Sequence, residues 1–192
     1  VFNVKIMGLA KIVLLGCTQV VKRVLFPGRF QPFHKGHLHA ILSLLNEYDE
    51  VVIAVGSAQE GFTCQNPFTA GERLEMIRDT LLHEGIDPKR FWLITVPDIN
   101  KPLAWTAYLL GLSPKVEAIA TGNAHVKAIY NWIGARVIEV DLYRPELFNG
   151  SRIRALITNN GNWEELVPEP VVKYLKSISG VERVKELCRG LH

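Results

Sequence analysis

From residue 23 to residue 140, short apolar runs alternate with stretches whose apolar residues recur at helical spacing. The clearest run is EVVIAV, residues 50–55. It has almost no polar face, so a strand built from it must be covered on both sides, as in a parallel sheet between two layers of helix. Arg23 to Pro27, RFWLITV (90–96), VEAIAT (116–121) and ARVIEV (135–140) read as four more strands. Between the first two, Leu38, Ile41, Leu42 and Leu45 follow i, i+3, i+4, i+7, which predicts a helix over 36–47 with one buried stripe. Thr69 and Glu72 have the spacing of a capping box, and Gly85 is placed to end the helix they open. Residues 103–111 and 124–133 also read as helices. Beyond residue 140 the pattern changes. GSRIRALITNNG (150–161), NWEELVPEPVVKYLKSI (162–178) and GVERVKELCRG (180–190) read as helices with no strand between them. Five strands alternating with helices imply an α/β fold: a Rossmann-like, doubly wound parallel sheet followed by a helical C-terminal part.

The chain has 192 residues, 48% apolar and 21% charged, the balance of an ordinary globular protein. We expect one domain over 23–192, preceded by an extension over 1–22. That extension, VFNVKIMGLAKIVLLGCTQVVK, is mildly apolar and carries no convincing signal-peptide cleavage site. Its cluster Ile12 to Leu15 reads as an extra strand or as a segment packing on a neighbouring subunit; alternatively the natural chain begins at Met7 or later. The net charge of +3, with no block of like charges, argues against a nucleic-acid partner yet would not repel an anionic metabolite. No apolar stretch has the length to span a bilayer, so no membrane partner is expected. Cys17, Cys64 and Cys188 are too few and too scattered for a disulfide framework or a zinc site, and a reducing cytoplasm is the expected compartment.

Ligands of doubly wound sheets sit beyond the carboxyl ends of the strands, near the switch point. At such an end lies PGRFQPFHKGH, residues 27–37. Gly28 permits a tight turn, Pro32 fixes the loop path, and Gly36 sits where a helix N-terminus offers free amides to an anion. Arg29 adds a permanent cation, and His34 and His37, three apart, share a face. Together they suit a polyphosphate, although the P-loop pattern is absent. Taken singly, each residue is more often part of a plain turn. A metal on the two histidines would need a third ligand that does not lie nearby. Three further stretches are candidates. Gly150, Ser151 and Arg154 open a helix and could offer amides, a hydroxyl and a guanidinium to phosphate oxygens, or form an ordinary capped helix. Trp105, in PDINKPLAW, could stack on a flat cationic ring or serve as core. Gly122 and Asn123, at a strand-to-helix junction, could face an adenine and its ribose.

GRFQPFHKGH resembles the G-x-F-x-P-x-H-x-G-H signature of the nucleotidyltransferase superfamily. GSAQEGFTCQNPFTAGER, PDINKPLAW, FNGSRIRALI and GNWEELVPEPVV resemble, in order, segments of archaeal-type nicotinamide-nucleotide adenylyltransferases. The resemblance covers about residues 23 to 187. It implies transfer of the adenylyl group of ATP to nicotinamide mononucleotide, giving NAD and pyrophosphate, with Mg²⁺ or another divalent cation accompanying ATP. It further implies ATP-binding roles for Gly28, Arg29, Phe30, His34, Gly36, His37, Gly122, Asn123, Gly150, Ser151 and Arg154, with His34, His37 and Arg154 catalytic. Asp98 and Trp105 would bind the mononucleotide. A homo-oligomer, often a hexamer, is implied as well. Family members often carry Ser-His where this chain has Gly61-Phe62, some have Arg at the position of Gln65, and Pro102 replaces a common polar residue. Other readings of the same loop are an adenylyl- or cytidylyltransferase acting on a different phosphorylated acceptor, a nucleotide-binding module without turnover, and a fragment of tRNA-synthetase type. The short chain counts against the last.

Overall fold

The computed structural model describes residues 21–140 and 143–189, with the side chain of residue 125 set aside. The expectations for residues 1–20, including Ile12 to Leu15 and Cys17, lie outside the described residues.

All five expected strands form: β1 (Arg23–Gly28), β2 (Glu50–Val55), β3 (Phe91–Thr95), β4 (Ala118–Thr121) and β5 (Val137–Glu139). They make one parallel sheet in the order β3-β2-β1-β4-β5. Chain order reverses between β1 and β4, so the switch point lies at the carboxyl ends of those two strands.

The strands' two-residue alternation divides the core. Val24, Phe26, Val51, Ile53, Ala118 and Ala120 point to one face. There they meet α1 (Lys35–Glu47), α2 (Ala70–His83), α5 (Gly150–Thr158), α6 (Glu169–Ser177) and α7 (Gly180–Cys188). Leu25, Val52, Ala54 and Ile119 point to the other, against Leu109 of α3 (Pro102–Leu112) and Tyr130 of α4 (Ala124–Trp132). The helical stripe of α1 is rotated from the expected one: Ala40, Ile41, Leu44 and Leu45 are buried, while Leu38 and Leu42 are half-buried.

Local signals place the helix ends. Thr69 accepts from the Glu72 amide while Glu72 reaches back to the Thr69 amide. Gly85, at φ +75°, donates to Leu82, and Ile86 donates to Leu81, which closes α2 in a Schellman motif.

Two expectations are corrected. Residues 162–178 are not one helix. Pro168 cannot continue the turn at Glu164–Leu166, so the chain extends there and α6 starts afresh. And Cys64 and Cys188, 124 residues apart, form a disulfide with a Cα–Cα distance of 4.9 Å. Their spacing carries no hint of it; the packing of α7 against the β2–α2 loop brings them together. No helix among the described residues is long and apolar enough to cross a membrane.

Candidate active site

The loop after β1 turns sharply at Phe30 (φ +54°), passes a cis Gln31–Pro32 bond and enters α1 at His34. His34 is the N-cap: its Nδ1 accepts the His37 amide at 3.3 Å, and Nδ1 of His37 accepts the His34 amide at 3.3 Å. The two imidazoles are stacked, centroids 3.5 Å apart, and His37 also packs on Phe26, Phe30 and Phe33. Burial pushes the His34 pKa down to about 4. Burial, and then the neighbouring His34, holds His37 well below the usual histidine range. Both rings are therefore neutral near pH 7. A neutral imidazole whose Nδ1 accepts must carry its proton on Nε2. The capping box thus creates two Nε2–H donors side by side.

Both rings line a cavity of about 360 Å³ together with Arg29, Gly36, Ser151 and Arg154. The N-termini of α1 and α5 meet here, neither with an acidic residue in its first turn, so both positive helix ends are left uncompensated. Gly150 makes the approach possible: a Cβ there would stand 2.8 Å from the Gln31 carbonyl oxygen. Arg154 donates to that carbonyl at 2.7 Å and to Ser151 Oγ at 3.2 Å. Burial, and then Arg29, lowers its pKa to about 10, which leaves it cationic at neutral pH.

Arg29 also lines a second cavity of about 540 Å³, walled by Ser57, Glu60, Gln65 and Asn66 of the β2–α2 loop and by Asp98. Asp98 in turn belongs to a third cavity of about 370 Å³ beneath α3, lined by Trp105, Val126, Ile129 and Tyr130. The first and second share Arg29 and the second and third share Asp98, so the three follow one another along the carboxyl ends of the strands. Asp98 is fixed from both sides: its carboxylate accepts from Ser57 Oγ at 2.6 Å, and its amide donates to Gln59. Trp105 is fixed by a bond from Nε1 to the Pro97 carbonyl.

Residues 25–180 match the cytidylyltransferase-like family. Over 167 residues the chain is 45% identical to the nicotinamide-nucleotide adenylyltransferase of Saccharolobus solfataricus, covering 87% of this chain and 97% of that one. It is 41% identical over 172 residues to the enzyme of the same name from Pyrococcus furiosus, covering 89% and 92%. The chain belongs to the nicotinamide-nucleotide adenylyltransferases. A solved bifunctional NMN adenylyltransferase/ADP ribose pyrophosphatase from Francisella tularensis, complexed with AMP and manganese ion, matches with a TM-score of 0.73 at 25% identity over 87% of this chain. The chain spans 52% of that protein's length.

In this adenylyltransferase the structure gathers most of the residues singled out in the sequence. Arg29, Phe30, His34, Gly36, His37, Gly150, Ser151 and Arg154 line the first cavity. Gly28, at the end of β1, packs against the Phe30 ring beneath it. Asp98 and Trp105 line the third. Gly122 and Asn123 line none of the three cavities; they are exposed at the end of β4, where Asn123 Oδ1 accepts the Val126 amide at the start of α4.

Two residues of the adenylyltransferase site escaped the sequence reading. Gln31 is buried, and its amide forms a reciprocal pair with the backbone of Phe68, at 2.7 and 3.0 Å. Arg73 is fully buried and donates to the carbonyls of Thr69, Arg29, Gly56 and Ser57. It welds the loops after β1 and β2 to the start of α2. Burial first of all lowers its pKa to about 10. The signal was present: Arg73 lies on the helical stripe of Met76, Ile77, Thr80 and Leu81.

Proposed function

We propose that the groove holds ATP in the first cavity and nicotinamide mononucleotide across the other two, and that it aligns them for adenylyl transfer. The observation that carries this reading is the pair of Nε2–H donors made by His34 and His37, set between two helix N-termini and beside two guanidiniums. Such a site is complementary to a triphosphate and not to a metal alone or a neutral ligand. In the reaction a phosphate oxygen of the mononucleotide attacks the α-phosphorus of ATP, the bond to the β-phosphate oxygen breaks, and pyrophosphate leaves. The nucleophile is already anionic, so no general base is required. His37, nearest the α-phosphate, and His34 donate to oxygens that gain charge in the transition state, while Arg29 and Arg154 neutralise the β- and γ-phosphates. Gly36, Gly150 and Ser151 offer backbone amides and a hydroxyl, Gly28 and Phe30 shape the loop, and Gly122 and Asn123, exposed at the end of β4, face the adenosine where it extends out of the first cavity. Trp105 stacks on the cationic nicotinamide ring, and Asp98 hydrogen-bonds the acceptor nucleotide.

A divalent cation, Mg²⁺ in this reading, enters as part of the substrate MgATP. The lining of the first cavity is cationic and amide-bearing with no carboxylate, and no cluster of metal ligands exists among the described residues, so the phosphates themselves are its fitting ligands. Residues 23–192 act as one nucleotidyltransferase domain in the cytoplasm. A homo-oligomer, a hexamer in this reading, is supported by α3, which exposes Leu103, Tyr108 and Leu112.

The test is an acceptor panel. With labelled ATP, nicotinamide mononucleotide is expected to give the fastest pyrophosphate release. Preference for phosphopantetheine, flavin mononucleotide or glycerol phosphate would reassign the acceptor, and ATP binding without release on any acceptor would make the chain a nucleotide-binding module.

A further inference from the structure

The β2–α2 loop, residues 56–69, supplies most of the wall of the middle cavity but has no regular secondary structure. Its ends are anchored by Arg73 and by the Gln31–Phe68 pair. Its middle is not. Within residues 60–66 the Thr63 and Asn66 backbones and the Thr63 hydroxyl close one small turn. Asn66 Oδ1 is buried with no hydrogen-bond partner among the described residues.

What holds the middle comes from α7, which lines none of the three cavities. Cys188, at its last turn, is bonded to Cys64 on the cavity wall. Arg183, one turn earlier, donates to both Glu72 oxygens at 2.8 Å and to the Pro67 carbonyl at 3.4 Å, and its guanidinium lies 4.4 Å from the centre of the Phe62 ring. The first cavity is built from the β1–α1 loop, residues 143–149 and the first turn of α5; α7 packs on α5, but its disulfide and the Arg183 contacts go to the β2–α2 loop and α2.

We infer that the Cys64–Cys188 bond is a positioning device for the second substrate: it fixes the cavity wall formed by residues 60–66 while leaving the ATP cavity untouched. The inference rests on the proposed division of the groove between ATP and the mononucleotide. Cys64, Cys188 and Arg183 touch no reacting atom and act through Thr63, Gln65 and Asn66. The bond can be broken by a small dithiol such as dithiothreitol. The two sulfurs then gain two electrons and two protons, and the reductant closes its own disulfide.

The experiment compares air-oxidised protein, the same protein reduced with dithiothreitol, and Cys188→Ser, all in a Cys17→Ser background that prevents exchange with a third thiol. Reduction should add about 2 Da and free two thiols. In reduced protein and in Cys188→Ser, KM for nicotinamide mononucleotide should rise about tenfold, while kcat and KM for ATP stay within about twofold. Amide exchange at residues 60–66 should accelerate about tenfold, with the β1–α1 loop unchanged. A loss of thermal stability alone, with all three kinetic constants unmoved, would assign the bond a structural role and overturn the inference. So would an equal rise in both KM values, or two free thiols in the air-oxidised protein. If no form releases pyrophosphate, the proposed function fails instead, and the exchange data then decide the inference: unchanged exchange at 60–66 sinks it, selective acceleration upholds it.

Discussion

The imidazoles of His34 and His37 cap the same helix end reciprocally, each Nδ1 accepting the other residue's backbone amide. One pair of contacts thereby starts α1 and dictates which ring nitrogens face the first cavity.

On the proposed mechanism, His37→Ala removes a donor to the charge that develops at the α-phosphate. We expect kcat to fall by a factor on the order of 10² to 10³. Steady-state kinetics with a kcat within a few-fold of the parent would end that assignment.

Acid should unsettle the same helix end. A histidine whose folded pKa lies below its unfolded value binds its proton preferentially in the unfolded chain, so stability rises with pH through the window between the two. With His34 lowered from 6.5 to about 4, stability is full above pH 6.5 and is lost between pH 6.5 and 4. The loss from this group is roughly 3 kcal/mol. Urea titrations at pH 7 and pH 4.5 measure it. Nitrogen NMR should show Nε2 protonated and Nδ1 bare on both rings at neutral pH, and a protonated Nδ1 on either would refute the capping argument.

Arg73→Met should cost stability heavily, because it removes the side-chain donor from four carbonyls, of which those of Gly56 and Ser57 are buried and cost the most. A total on the order of 4 kcal/mol is expected, read from the denaturant midpoint. Arg73→Lys should recover part of it, since one ammonium reaches some of the four acceptors. Equal loss in both variants would show that the planar guanidinium geometry matters more than the charge.

Tyr130→Phe should do the reverse. The Tyr130 hydroxyl is buried, finds no hydrogen-bond partner among the described residues, and has its pKa raised by that burial. Removing it relieves an unmet desolvation cost of about 1 kcal/mol. A thermal melt that drops instead would reveal a partner for that hydroxyl.

Trp105→Ala should raise KM for the mononucleotide and spare that for ATP, since Trp105 belongs to the cavity beneath α3 and not to that of the histidines. A matched rise in both constants would take Trp105 out of the acceptor pocket.

What was legible in the sequence follows from which interactions are local. β2 could be read because a strand covered on both faces must be apolar throughout. α2 could be bounded because its cap lies three residues from its partner. The string from Gly28 to His37 was legible as a candidate site because strand, turn and helix entry are contiguous. Arg73 was missed because an arginine in a helix is ordinarily solvated, and only its place on the apolar stripe betrays it. Gln31 gave no signal, because its partner Phe68 is 37 residues away. The disulfide could not be read from three isolated cysteines whose pairing depends on where α7 docks.

At the end of the sheet away from the groove, Arg23 and Glu50, register partners on β1 and β2, are joined by two side-chain hydrogen bonds, and Trp92 of β3 donates to the same carboxylate. A sliding of β1 against β2 by one residue would break this polar knot as well as invert the apolar faces. Strand alignment is thus guarded at the amino edge, by residues that line none of the three cavities. Evolution is left free to reshape the opposite rim, and with it the choice of acceptor, without endangering the scaffold.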